Sequence, residues 1–423
     1  MVVAKAVRGM NDLFPKELHL WQKIEDAIKS IFPLYAYQEI RTPILEDLAL
    51  FKRGIGETTD IVEKEMFIVP DGDHTYCLRP ENTAAVVRAL IERGGISADS
   101  QEKLYYIGPM FRKERPQKGR LRQFHQYGIE LFGVSEPAAD VEIMAMVQHL
   151  FDRLGPKNIE LKINSLGTNE ERNSYKIHLK DYLTDKKLLL CNDCQRRLDL
   201  NPLRILDCKN DGCKEIIKDA PKSIDSLGVE SRTHFDQVLF GLSDININFS
   251  IEHNLVRGLD YYNRTVFEFV AKEGLGAQNT IAAGGRYDGL FLTLGNKIDL
   301  PAIGCAGGIE RLALLLEDGE SNNEGPKISL IGADQDGQKI VKSLAYALRK
   351  MNIAADFPLQ PKSMKAMMRR ADKLKASFVA VVGQEEIKNG RVKIKDMKTS
   401  ASTELNLEAY QIAHHLGNSI SEE

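Results

Sequence analysis

The chain has no uninterrupted apolar run approaching the ~20 residues that a membrane span requires. Its opening residues, MVVAKAVRGMNDLFP, contain no hydrophobic core of a signal peptide. The expected compartment is therefore the cytosol, with no membrane contact. Only six of the 423 residues are cysteine, and in a reducing compartment these are expected as free thiols or metal ligands rather than disulfides. Charge of one sign is not in surplus either: 57 Lys and Arg against 60 Asp and Glu leave a formal net charge of −3. A global basic field for nucleic acid is excluded, so any such contact has to use local patches. Neither a GxGxxG fingerprint nor a Walker loop occurs, which argues against the common nucleotide-binding α/β folds. What remains is an ordinary globular composition, 43% apolar and 28% charged, long enough for two or three domains.

Positive charge is concentrated between Phe111 and Phe132, FRKERPQKGRLRQFHQYGIELF. Arg112, Lys113, Arg115, Lys118, Arg120 and Arg122 crowd around the single acid Glu114, while Pro116 and Gly119 mark a turn rather than a helix. From Phe124 the pattern alternates as in a strand. One face carries Phe124, Gln126, Gly128, Glu130 and Phe132; the other carries His125, Tyr127, Ile129 and Leu131. Gly128 is expected to leave open space between Gln126 and Glu130. Guanidinium forks bind phosphate through paired, charge-assisted hydrogen bonds, so the stretch suits a polyphosphate held near a smaller cationic group. A solvated basic hairpin beside a wet strand face satisfies the same pattern.

In chain order, apolar spacing predicts a helix over about Lys16–Phe32, ended by Pro33. In YCLRPENTAAVVRALIERGG, Pro80 is expected to open a helix with Glu81 in its first turn, and Gly94 to stop it. Glu81 and Thr83 there also fit a plain capped helix start. A strand over Leu104–Ile107 should feed the basic loop, and a helix should run over Ala139–Leu154. From about 168 to 250 the pattern is irregular and mostly helical, as expected of an insertion. Within it Cys191 and Cys194 have CxxC spacing, and Cys208 and Cys213 can complete four thiolates. The four residues between the last pair are loose for a zinc knuckle, so separate shielded thiols are favoured, zinc is the lesser alternative, and no metal is assigned.

Three further clusters stand out. NLVRGLDYYNRTVFEF places Arg257, Asp260, Tyr261 and Tyr262 at a turn before a strand; tyrosines packed at a sheet edge beside a paired arginine would look the same. IAAGGRYDGL sets Arg286 and Tyr287 beside paired glycines. PAIGCAGGIERLALLL reads as a strand, a glycine-assisted turn and a helix opening near Ile309, with Arg311 at its start and backbone room for a planar base. Asp318–Pro326 is the clearest linker. Beyond it, strand and helix periods alternate as in a compact α/β domain with a mixed or parallel sheet. Its helix near Met364–Leu374 is cationic, with Lys362, Lys365, Arg369, Arg370, Lys373 and Lys375, and Lys393, Lys395 and Lys398 follow. A solvated face is the default for such charges; an RNA-contacting face gains weight because the rest of the chain is slightly acidic.

Taken together these runs resemble class II aminoacyl-tRNA synthetases. The FRKE strand start is similar to their second motif, QEIRTPILEDLALF around Pro43 to the first and GGIERLALLL to the third. RGMNDLFP, RGLDYY and AAGGRYDG resemble the histidyl-tRNA synthetases in particular. The resemblance implies an α+β fold: a class II catalytic domain over 1–325, with an antiparallel sheet flanked by helices and a mostly helical insertion at about 168–250. A C-terminal α/β anticodon-binding domain over 326–423 would follow. It implies ATP-dependent activation of L-histidine and transfer to tRNA(His), with ATP and Mg²⁺ as the substrate complex, no tightly bound organic cofactor, and a homodimer built on the first motif.

Carried onto this sequence, Glu81 and Thr83 would hold the histidine ammonium, and Gln126, Glu130, Tyr261, Tyr262 and Tyr287 would complete the pocket with Arg257. Arg112, Glu114, Arg115, Arg120 and Arg311 would contact ATP, and Arg112, Arg257 and Arg311 would stabilise the transition state. Zinc is not a general feature of that family. Two departures are visible: Asn82 stands where the family's RPEGT has glycine, and Lys365-Ala366-Met367 stands where Lys-Lys-Gln is common. A histidine-sensing regulatory relative and a non-catalytic RNA-binding module are the rival readings. The first usually lacks the terminal domain and the second leaves Glu81 and Glu130 unexplained.

Overall fold

The computed structural model describes residues 3–57, 59–276, 279–316, 325–360 and 362–417. The chain divides into two compact units, residues 1–319 and 320–423.

The first unit is organised by an eight-stranded sheet. Its order is Gln38–Glu39, Glu102–Phe111, Gln123–Phe132, Ala302–Gly308, Thr280–Arg286, Asn263–Ala271, Ile159–Ser165 and Phe249–Ile251. The six central strands run antiparallel. The short strands at either edge pair in parallel, so the sheet is mixed rather than wholly antiparallel. Each edge strand is separated in sequence from its neighbour by a long excursion, which is the connection a parallel pair demands.

Alternation along the strands separates two cores. On one face Tyr127, Ile129, Leu131, Phe267 and Phe269 pack with Trp21, Ile24 and Ile28 from helix Pro15–Ile31. Ile143, Val147 and Leu150 from helix Pro137–Leu154 join them, as do Val238 and Leu242 from helix Val229–Asp244. On the other face Tyr106, Phe132, Tyr262 and Tyr287 meet Val86, Val87 and Leu90 from helix Thr83–Arg93. The period of two in Gln123–Phe132 thus sends Tyr127, Ile129 and Leu131 under the long helices, and Gln126, Glu130 and Phe132 to the opposite face.

The helix expected to open at Pro80 starts instead at Thr83, with Asn82 as its N-cap residue. Glu81 lies outside it and accepts from the backbone N–H groups of Thr83 (2.6 Å) and Ala84 (3.1 Å), so it caps the free donors from one residue upstream. Asn82 has φ −122°, a conformation that needs no glycine, and its Oδ1 accepts from the Thr42 hydroxyl (2.6 Å) and Arg79 (3.1 Å). The segment between Gly167 and Phe249 is mostly helical, with Asn169–Thr184, Asn192–Leu200, Asp211–Ile217 and Val229–Asp244.

In the second unit a five-stranded sheet has the order Ala355–Asp356, Ile328–Gly332, Phe378–Val382, Arg391–Asp396 and Ser402–Asn406. Its first three strands are parallel and the last two join antiparallel. The short helix Gln384–Asn389 and the strand Ser402–Asn406 were not anticipated. The helix is closed at both ends by local chemistry: Glu386 accepts from the Gly383 N–H (2.9 Å), and Gly390 takes φ +63°. Of the expected linker Asp318–Pro326, residues 318–324 lie outside the described residues.

Candidate active site

Glu130 sits at the centre of the polar face. It is buried, and its carboxylate accepts from the Thr83 hydroxyl at 2.7 Å and from the Tyr287 hydroxyl. Tyr261, Tyr262 and Tyr287 form an aromatic wall, with ring centroids 4.6 Å apart for Tyr261–Tyr262 and 5.5 Å for Tyr261–Tyr287. Burial pushes the Glu130 carboxyl up to about 8, against the opposing hydrogen bonds from Tyr287 and Thr83, and neighbouring Glu81 adds to the rise. Burial also raises Glu81, which its two backbone N–H donors partly offset. Two carboxyls raised by burial, one of them raised further by the other, form a site that a cationic ligand relieves. Gln126 Oε1 is a buried acceptor with no protein partner among the described residues.

Gly128 does not leave open space. A Cβ there would run into the Tyr106 ring, which lies across the strand and fills the gap between Gln126 and Glu130. The glycines of Ala302–Gly308 are likewise used by the chain itself. A Cβ at Gly304 would land on the Glu130 carboxylate, and one at Gly307 on the Tyr127 ring. Only Gly308, whose nearest such neighbour is Arg311 at 3.8 Å, opens onto a cavity.

That cavity, about 320 Å³, is lined by Arg112, Arg120, Arg257, Arg311, Glu114, Gln126, Glu268 and Thr280 among others. Arg112 donates through Nε to the Pro80 carbonyl (2.9 Å) and stacks over Phe124 at 5.2 Å. Arg311 donates to the carbonyls of Gly119 (2.9 Å) and Thr280 (2.7 Å). Burial lowers the Arg112 and Arg311 pKa values, and the Arg112 and Arg120 charges lower Arg311 further. Guanidiniums held this close repel, and a polyphosphate placed among them removes that cost. Arg257 pairs with Glu268 and lies 5.7 Å from the Tyr262 ring.

Glu114 is buried and pairs with Arg120, with Arg112 at 4.0 Å, so it fastens the arginines as well as lining the cavity. The loop itself closes through Gln117 and Arg120, whose backbones exchange hydrogen bonds of 3.0 and 2.9 Å. Arg115 is exposed and does not line the cavity. Arg286, adjacent to Tyr287, points the other way and is fully buried against Asp140 at 2.7 Å. A second cavity of about 530 Å³, lined by Lys16, Trp21, Lys118 and His125, shares Gly119, Leu121 and Glu310 with the first. Sequence reasoning missed Glu268, Glu65 and Glu310. Glu268 anchors Arg257, Glu65 lies 3.6 Å from Arg120, and Glu310 accepts from the His125 N–H at 2.8 Å. Glu268, a lone acid inside the apolar run VFEFV, was the one with a visible signal.

The comparisons with known proteins bear on the whole length. Residues 9–312 match the family described as Histidyl-tRNA synthetase, and residues 327–410 match Anticodon binding domain. The chain belongs to the histidyl-tRNA synthetase family. It is 45% identical over 408 residues to the Histidine–tRNA ligase of Syntrophotalea carbinolica, covering 96% of this chain and 97% of that protein. The Histidine–tRNA ligase of Halothermothrix orenii is 46% identical over 407 residues, covering 95% and 97%. Among solved structures, apo histidyl-tRNA synthetase of S. aureus superposes with a TM-score of 0.81 at 33% identity, over 98% of this chain and 100% of that one.

Proposed function

We propose that the two halves of this face divide the substrates of a histidine–tRNA ligase, the activity of the family to which the chain belongs. The carboxyl and tyrosine half takes L-histidine, and the arginine half takes ATP. The carrying observation is that the buried Glu81 and Glu130 adjoin a cavity lined by four arginines: Glu81 follows Pro80, whose carbonyl accepts from Arg112, and Glu130 shares a strand face with Gln126, which lines that cavity. Glu81, Thr83 and Gln126 receive the ammonium. Glu130 and Tyr287 read the imidazole, and Tyr261 and Tyr262 enclose it. The histidine carboxylate attacks the α-phosphorus of ATP; the α–β phosphoanhydride breaks, giving histidyl-adenylate and pyrophosphate. Negative charge spreads over the phosphate oxygens, and Arg112, Arg257 and Arg311 stabilise it in place of water. Arg120 and Glu114 hold the loop over the nucleotide, and Arg115, on the exposed side, reaches the triphosphate or the acceptor end of tRNA.

ATP arrives with Mg²⁺, which takes phosphate oxygens and one or two carboxylates. Glu268 and Glu310 line the same cavity, so the donor set fits. Bound there, the ion would neutralise charge on the triphosphate. In the second step the terminal ribose hydroxyl of tRNA(His) attacks the adenylate carbonyl and AMP leaves, with a phosphate oxygen of the adenylate available to accept the proton.

Residues 1–325 form the catalytic domain, with 168–250 inserted, and 326–423 the anticodon-binding domain. The small sheet of Leu45–Asp47, His74–Leu78 and Phe67–Asp71 exposes Leu45, Ile68 and Val69, with Ile44 exposed just before it, which supports pairing of two copies through the first motif. No helix among the described residues is long and apolar enough to cross a membrane, and the protein works in the cytoplasm. Histidine-dependent exchange of pyrophosphate into ATP with Mg²⁺, followed by charging of total tRNA with histidine, tests the reading. Exchange without charging would leave a histidine-activating relative; absence of both in folded protein would overturn it.

A further inference from the structure

Sequence spacing favoured four separate thiols in the insertion, but folding brings them together. The Sγ atoms of Cys191, Cys194, Cys208 and Cys213 all lie within 4.8 Å of one another, and Cys191 Sγ is 3.9 Å from Cys208 Sγ. A tetrahedral site with zinc–sulfur bonds of about 2.3 Å has sulfur–sulfur edges of about 3.8 Å, so the cluster is within roughly 1 Å of that geometry. All four are free thiols, with Cys194 and Cys213 buried.

Cys191 is the N-cap residue of helix Asn192–Leu200, Cys194 lies in that helix and Cys213 in helix Asp211–Ile217, so the starts of two helices present their sulfurs to one another and to Cys208. The Cys191 N–H donates to Cys213 Sγ (3.2 Å) and the Asn210 N–H donates to Cys208 Sγ (3.4 Å). Four converging sulfurs, two of them fed by backbone donors, suit a soft-accepting tetrahedral ion.

We propose that Cys191, Cys194, Cys208 and Cys213 bind one structural Zn²⁺. Binding is a proton-for-metal exchange: four thiols release four protons and form four zinc–sulfur bonds, with no change of oxidation state. All four positions are protein ligands, so the site is closed and takes no part in the ligase chemistry. Its effect is mechanical. The ion ties the ends of segment 194–208, which holds the turn after Arg257. Arg204 donates to the Gly258 carbonyl (2.8 Å), Asn201 to Asp260 (2.9 Å), and Arg197 and Arg204 both reach Asp60 (3.2 and 2.9 Å).

The test uses the full chain, purified under reducing conditions without chelator. Elemental analysis should find about one zinc per chain, falling below a fifth of that in Cys208→Ser and in Cys213→Ser, with Cys77→Ser unchanged. Co²⁺ in place of zinc should give the near-ultraviolet sulfur-to-metal band and the strong visible bands of tetrahedral thiolate. The native zinc-loaded protein should show no readily reactive thiol, because Cys77 and Cys305 are both buried, and the count should rise to six after denaturation with chelator. If wild-type protein, reconstituted with equimolar zinc, retains no metal and shows no Co²⁺–thiolate band, the proposal is overturned, whether or not the serine variants fold. Iron at stoichiometry in place of zinc overturns it equally.

Discussion

The hydroxyl of Tyr287 donates a hydrogen bond to Oε2 of Glu130, joining residues 157 apart in sequence at the centre of the buried polar face. The glycine that admits this contact is on a third strand, since any side chain at 304 would occupy the carboxylate's position. Glu130→Gln keeps the shape but removes the charge that answers a cationic ring. Histidine-dependent pyrophosphate exchange should fall on the order of 100-fold, from loss of a charged hydrogen bond in a dry site, with KM for histidine rising and KM for ATP little changed. Tyr287→Phe should show a milder version of the same split.

The same carboxyl sets a pH dependence of stability. Burial raises it from 4.5 in an ordinary chain to about 8 in the folded protein. Between those values the folded state binds more protons than the unfolded one, so its contribution is present below 4.5 and lost as pH rises through 8. Glu130→Gln has no such loss. Its Tm relative to wild type should therefore increase between about pH 5 and about pH 9, measured without ligands. A constant difference would show that Glu130 titrates normally.

Arg311 is held by two carbonyls and repelled by Arg112 and Arg120. Arg311→Lys cannot make both of these bonds and a paired contact to phosphate. It should reduce pyrophosphate exchange by about 10²- to 10³-fold with histidine binding retained by calorimetry. Lysine keeps the positive charge and gives up a carbonyl bond, so the ligand-free Tm should stay unchanged or fall slightly.

Arg286 and Asp140 are both fully buried, and Arg286 also donates to the carbonyls of Val134 (3.0 Å) and Glu136 (2.9 Å). Asp140→Asn or Arg286→Met leaves an uncompensated buried partner and should cost about 3–5 kcal/mol, read by urea unfolding of the catalytic unit. Changing both residues to apolar ones should cost less than the sum, because no charge is left unpaired.

On the terminal unit, Lys365, Arg369 and Lys373 are exposed on helix Met364–Lys373, whereas Arg370 is held by Asp356. Reversing the three exposed charges to Glu should lower kcat/KM for tRNA by at least about tenfold at low salt and flatten its salt dependence. Pyrophosphate exchange, which needs no tRNA, should be unaffected. Arg370→Ala should instead lower stability.

Much of this molecule is local, and the sequence alone determined that part. The period of 3.6 in Pro15–Ile31 and the period of two in Gln123–Phe132 placed both elements and both strand faces, because a side chain's direction follows from backbone geometry within a few residues. The FRKE, RGLDYY and GGIER runs were enough to identify the family for the same reason: their chemistry is written in contiguous residues. What needed the tertiary structure are relationships between distant segments. Tyr106 covering Gly128, Glu268 answering Arg257, Glu81 capping a helix it does not belong to, and Arg286 turning away to Asp140 each depend on which strands become neighbours. The four cysteines show this most clearly. The spacing of Cys208 and Cys213 looked loose for a zinc knuckle and left zinc the lesser alternative, yet two helix starts and a turn bring the four sulfurs within 4.8 Å, because folding sets the distance between side chains and sequence separation does not.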